Sequence, residues 1–191
     1  MEIVSSRSCW RNWNGQATLN EAKGGSVHYF SGCPRGLVGH PPMPLSPVPP
    51  PWSRIHEAEG NWTCLRHAIE LLEARLVAKP DELETVIHLG FTLWYEVTEG
   101  QLPVDDYARR FLELYRRYAD TFSEKADFCH VFGLAIKLDW YFFPGTTEAE
   151  GHRLMSQAAA LDPMWAQLYE ADADLSRLRG RGILAAYYNV K

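Results

Sequence analysis

In NWTCLRHAIELLEARLVAKP, residues 61–80, the apolar positions Trp62, Leu65, Ile69, Leu72 and Leu76 step by three and four. An α-helix turns once every 3.6 residues, so this spacing gathers all five on one face, whereas a strand would scatter them over two. The pattern predicts a helix with one buried stripe, which needs further helices to cover it. The same beat recurs downstream. Leu83, Val86, Leu89, Leu93 and Val97 continue it as far as Gly100, opened by a capping-box-like pair, Asp81 and Glu84, just after Pro80. Tyr107, Phe111, Leu114 and Tyr118 mark a third helix from about Asp105, with Arg109, Glu113 and Arg117 four apart on its other side.

Ser123 is expected to open a fourth helix, EKADFCHVFGLAIKLDWYFF, apolar around most of its circumference and ended by Pro144 and Gly145. Thr147 and Glu150 make a Ser/Thr-x-x-Glu box for a fifth, in which Ala158 to Ala160 should let neighbouring helices close up. Asp162 and Pro163 stop that helix, and Trp165 anchors a sixth predicted to run from Met164 to Leu178, where Gly180 and Gly182 end it. The final ILAAYYNV fits a short strand, a helical turn or a clasp over the core. The fold class expected is all-α.

Residues 1–52 differ in kind. Glycine and proline punctuate KGGSVHYFSGCPRG and GHPPMPLSPVPPPW, and no helical or strand period is sustained. The prolines from Pro41 to Pro51 favour extended polyproline II structure, so residues 1–52 are expected to be a disordered tail or linker and 53–191 the folded domain. Pro44 and Pro47 have the PxxP spacing of groove-binding peptides, but Arg54 lies too far along to serve as the charged anchor, which favours a spacer.

Two helices end in proline and align. Counting back twelve, eight and five residues from Pro80 gives Ala68, Leu72 and Arg75; from Pro163 it gives Gly151, Met155 and Ala158. Leu89 and Gly90 then follow Pro80 at a fixed offset, with Leu93 beyond, and Ala108, Leu112 and Asp120 repeat the pattern without its proline. This resembles the tetratricopeptide repeat family, whose period is about 34 residues, over roughly residues 61–178. The resemblance implies a stack of about three antiparallel helical hairpins. The connector TEGQLPVD is longer than the family turn, Val86 replaces its tryptophan, and ADFCHVFG lacks its Leu-Gly pair.

Apolar residues make up 46% of the chain and charged residues 23%, proportions that exclude disorder of the whole. From Ser53 on, 22 acidic residues face 15 Lys and Arg, a net −7, which argues against nucleic acid as a partner, since phosphate binding needs clustered cations. No run approaches the 18 or so apolar residues of a membrane span, so no membrane partner is expected and the cytoplasm is the expected location. Cys9, Cys33, Cys64 and Cys129 form no CxxC and are expected to be reduced, with Cys64 and Cys129 as small core residues.

No side chains form a recognisable catalytic, cofactor or metal constellation. His67, His88, His130 and His152 fall on helices without a metal-pair partner three or four residues on, and read as surface or satisfied interior histidines. Asp172 and Asp174 diverge on the predicted sixth helix, while Glu170 and Asp174 share a face that reads as solvated. Candidate partner-binding residues are the Arg109, Arg110, Arg116, Arg117 quartet, the aromatic pairs Trp94–Tyr95 and Trp140–Tyr141, and Arg179 and Arg181 of LRGRG.

The function expected is therefore non-enzymatic binding of another protein along a helical-repeat surface. A small acidic helical chain ending in LRGRGILAAYYNV is also similar to immunity proteins encoded beside bacterial secreted toxins. That resemblance implies a toxin as partner, and an acidic body suits a basic one. Two alternatives come from other classes: an enzyme using metal or phosphate at the acidic last helix or the Arg-Gly turn, and a self-associating protein whose homo-oligomer forms through Trp140 and Tyr141.

Overall fold

A computed structural model describes residues 48–61, 65–100, 104–168, 170 and 173–190. The expectations for residues 1–47, including the PxxP spacing and Cys9 and Cys33, lie outside the described residues, as do Trp62, Cys64 and Asp172. Among the described residues there are eight α-helices and no strands: α1 (Trp52–Glu59), α2 (Arg66–Ala78), α3 (Leu83–Glu99), α4 (Val104–Tyr118), α5 (Ala126–Asp139), α6 (Glu148–Leu161), α7 (Pro163–Gln167) and α8 (Gly182–Tyr187). Single 3-10 turns occupy Trp140–Phe142 and Ser176–Leu178. No helix among these residues is long and apolar enough to cross a membrane.

Helix α3 sits at the centre because its side chains are apolar on nearly every side. Every residue from Thr85 to Trp94 is buried, and α2, α4, α5 and α8 all pack against it. The predicted stripe of α2 is present in Ile69, Leu72 and Leu76, all buried. Between α4, α5 and the turn that follows lies an aromatic core: the Phe111 ring is 4.3 Å from Phe143 and 5.1 Å from Phe132, which is 4.5 Å from Phe128. Cys129 is a buried free thiol here, and burial raises its pKa.

Helices α5 and α6 make the most intimate pair. A Cβ on Gly133 would lie 2.8 Å from the Leu154 Cβ, and one on Gly151 only 2.5 Å from the Lys137 Cα. Contacts thus run from 133 with 154 to 137 with 151, opposite in direction, so the two helices are antiparallel. Closeness comes from glycine more than from the alanine run, of which Ala158 alone is buried. The Thr147 hydroxyl accepts a hydrogen bond from the Glu150 amide, the expected cap of α6. At the stop that follows, the Asp162 carboxylate accepts from the Met164 amide and Pro163 takes the first position of α7, where its missing N–H costs nothing.

Several boundaries differ from expectation. Asp81 does not cap α3; Glu82 precedes the helix instead, and its carboxylate is taken by Arg75, Lys79 and Thr85. Helix α5 begins at Ala126, because residues after Tyr118 make turns through Glu124. The long sixth helix does not form. Helix α7 ends at Gln167, and the Asp174 carboxylate accepts from the Ser176 amide, a local bond that competes with helix. Glu170 and Asp174 therefore share no helical face. Segment 183–190 is the helical turn and clasp among the alternatives, since α8 lies against α1 and α3. Helix α1 was not expected at all. Its eight residues bury only Ile55 and Glu59, too short a stripe to read as a period.

Candidate functional site

Helix α1 presents His56 and Glu59, three residues apart and hence on one face; α3 presents Glu84 and His88, four apart. Where these faces meet, the His88 Nδ1 is 2.6 Å from Glu59 Oε1 and its Nε2 is 3.2 Å from Glu84 Oε1. Both His88 and Glu59 are fully buried. A carboxylate only accepts hydrogen bonds, so an imidazole bonded to one at each nitrogen must donate from both, which makes His88 an imidazolium. Burial alone would push its pKa down, but the hydrogen bonds and charges of Glu59 and Glu84 outweigh that and raise it to about 9.

Charge continues outward from His88. Arg181 grips Glu84 with two hydrogen bonds, Nε to Oε1 at 2.7 Å and Nη2 to Oε2 at 2.6 Å, and reaches Asp127 Oδ2 at 2.9 Å with Nη1. Burial opposes ionisation of Glu84, yet the bonds from His88 and Arg181 bring its pKa down to about 2. Asp127 Oδ1 accepts from the Trp165 indole at 3.0 Å, and Glu59 Oε2 accepts from the Ile183 amide at 3.2 Å. One chain of ionic hydrogen bonds thereby joins α1, α3, α5, α7 and α8. Gly182 makes room for it: φ is +49° there, and a Cβ would collide with Glu59 Oε2 and lie 2.7 Å from His56 Cδ2.

His56 completes the cluster from the half-buried side. Its ring stacks 5.7 Å from His88, with the Trp52 ring 5.5 Å from His56 and 5.0 Å from His88. One ligand atom each from His56, Glu59 and His88 all lie within 4.8 Å of one another, a donor set of two imidazoles and a carboxylate. Beyond Asp127, His130 is a contrasting histidine: its ring stacks 3.7 Å over Trp165, Nε2 meets the Tyr188 hydroxyl at 2.6 Å, and Nδ1 is buried without a partner among the described residues. Burial lowers its pKa to about 3, so it is neutral.

The anticipated binding residues fall in different places. Trp94 is a correction: it is 3% exposed and its indole donates to Asp139 at 2.8 Å, because α3 is covered on all sides. Tyr95 is half-buried, with burial and then Glu99 and Glu96 raising its pKa to about 12. Arg181 is no free surface cation but the inner counterion described above. The Arg quartet divides. Arg109 pairs with Asp106 and Glu113 at 2.7 Å each, Arg110 pairs with Glu73 and Asp106, and Arg117 lies over the Tyr118 ring. Arg116 instead donates to the Pro144 carbonyl at 3.1 Å, just past the Trp140–Phe142 turn, whose Trp140 and Tyr141 are 43% and 60% exposed. Arg179 is exposed and lines a shallow hollow with Asp174, Ser176 and Tyr188.

Of this cluster the sequence marks Arg181 as a partner-binding cation, Glu84 as part of a helix cap and His88 as a surface or interior histidine, but it does not bring them together, and it marks neither His56 nor Glu59. Glu84 and His88 at four-residue spacing gave half the signal; Glu59, 29 residues before His88, gave none. No protein-family model, no curated protein and no solved structure matches the chain.

Proposed function

We propose that this chain is a protein-binding module built as a tetratricopeptide-like stack, and that it docks its partner through the turn at Trp140 and Tyr141. Support for the stack comes from the side-by-side packing of α3 and α5, each of which is followed by a helix packed against it. Gly90, at the family's glycine position, makes room for the Phe132 ring; a Cβ there would lie 2.5 Å from Phe132 Cζ. One observation carries the docking surface: two large aromatic side chains stand exposed on a short turn, with the Arg116 guanidinium fastened to its far end. Tyr, Trp and Arg are the side chains that contribute most at protein interfaces.

The partner fitting an acidic body of net −7 is a basic protein, and the sharper form is a cytosolic immunity protein that neutralises a basic bacterial toxin. Co-purification with the product of a neighbouring gene, followed by titration, tests this. A tight complex that weakens at least about tenfold with Trp140→Ala is the expected outcome for a central aromatic anchor. Failure to form a tight complex with any neighbouring gene product would sink it.

A further inference from the structure

We propose that His56, Glu59 and His88 bind one divalent transition-metal cation of the zinc type. The donor set is the first reason. Two imidazoles with one carboxylate suit zinc and its neighbours in the periodic table, whereas magnesium and calcium favour all-oxygen sites. The donor atoms come from two helices and already lie within 4.8 Å of one another. Zinc bonds of about 2.0–2.2 Å place tetrahedral neighbours roughly 3.4 Å apart, so donors already this near need only be drawn together around the ion.

The outer shell is the second reason. A metal-bound histidine usually donates its other N–H to a carboxylate, which fixes the ring and strengthens the ligand. His88 has that partner in Glu84, itself clamped by Arg181, while the second oxygen of Glu59 is fixed by the Ile183 amide. Gly182 leaves the space beside Glu59 and His56 that any side chain would fill. Half-buried His56 gives the cation a way in.

Charge balance is the third. Three carboxylates, Glu59, Glu84 and Asp127, face one guanidinium and one imidazolium, which leaves a single negative charge in a network buried at Glu59 and His88 and partly buried at the rest. When the cation binds, the proton shared by His88 Nδ1 and Glu59 passes to solvent, the Nδ1 lone pair and the Glu59 oxygen bond the metal, and His88 keeps its Nε2 proton on Glu84. The cluster then becomes neutral. A cation held there would also staple α1 to α3.

The test uses the full chain, stripped with chelator and titrated with zinc or cobalt(II) alone. Expected are one metal per chain by elemental analysis, a cobalt visible spectrum of a low-coordinate nitrogen and oxygen site, and a higher melting temperature with zinc. His56 makes none of the hydrogen bonds that hold the cluster, so His56→Ala keeps the fold by circular dichroism. It should weaken binding at least about tenfold and abolish the cobalt bands, and Glu84→Gln should weaken binding about 10- to 100-fold as an outer-shell change. His67→Ala and His152→Ala, at exposed sites, should change neither. Substoichiometric uptake by the unaltered chain, or uptake and spectrum indifferent to His56→Ala, would overturn the proposal.

Discussion

The layer of α1, α3 and α8 is closed by ions, and the pair α5 and α6 by glycine. In the first, Glu59, His88, Glu84 and Arg181 occupy space that leucine could fill; in the second, Gly133 and Gly151 let backbones touch. The difference lies in how each responds to damage. An ionic layer is sensitive to loss of a single partner, because the remaining charge stays buried, whereas a glycine seam is sensitive to addition of a single methyl group.

The largest expected effect breaks the ionic layer. Arg181→Ala leaves Asp127 without a cation and Glu84 with His88 alone, and should cost about 3 kcal/mol, the low end for breaking an ion pair because these side chains are only partly buried, measured by urea denaturation. Next, proton linkage separates the two histidines. His130 has its folded pKa depressed from 6.5 to about 3, so the unfolded chain binds the extra proton between those values. Stability present above pH 6.5 should fall as pH drops toward 3, by up to about 1.4 kcal/mol for each unit, and His130→Gln should flatten that limb. His88 has the opposite sign. Its raised pKa means that, in chelator-treated protein, its contribution is complete below pH 6.5 and disappears as pH rises through about 9.

Gly151→Ala tests the seam. Alanine gains about 1 kcal/mol of helix propensity, but the collision with the Lys137 backbone should reverse this to a net loss of about 1–2 kcal/mol, read by thermal unfolding. Thr147→Ala removes the α6 cap and should cost about 1 kcal/mol. Arg109→Ala, on the exposed face of α4, should leave the denaturation midpoint unchanged within error, since such pairs are screened by water and salt.

Local signals predicted most of the helices well. The three-and-four stepping of α2, α3 and α4, the Thr147 box and the Asp162–Pro163 stop all act within one or two turns, so a short window of sequence contains their causes. The ionic layer was hidden for the opposite reason. Glu59 finds His88 only after α1 folds back on α3, and an Arg-Gly-Arg-Gly turn that looks solvated supplies an inner counterion. Trp94 misled similarly: its neighbours in sequence say nothing of α8, whose Tyr187 ring lies 5.9 Å away. The run from Met164 to Leu178 has helical composition, but Asp174 commits its own backbone neighbour to a turn.

Arg181 meets Glu84 across 97 positions, and the Ile183 amide meets Glu59 across 124. A ribosome therefore delivers the carboxylates long before their cation. Until residues 181–183 emerge, the nascent chain can assemble α5 with α6 from near neighbours, but Glu59 and Glu84 share His88 alone and Asp127 has no cation, so this face of α3 stays wet. The turn at Arg181 is thus a late-arriving cation: a chain that stops short of residue 181 carries Glu84 and Asp127 on its helices without the guanidinium that joins them.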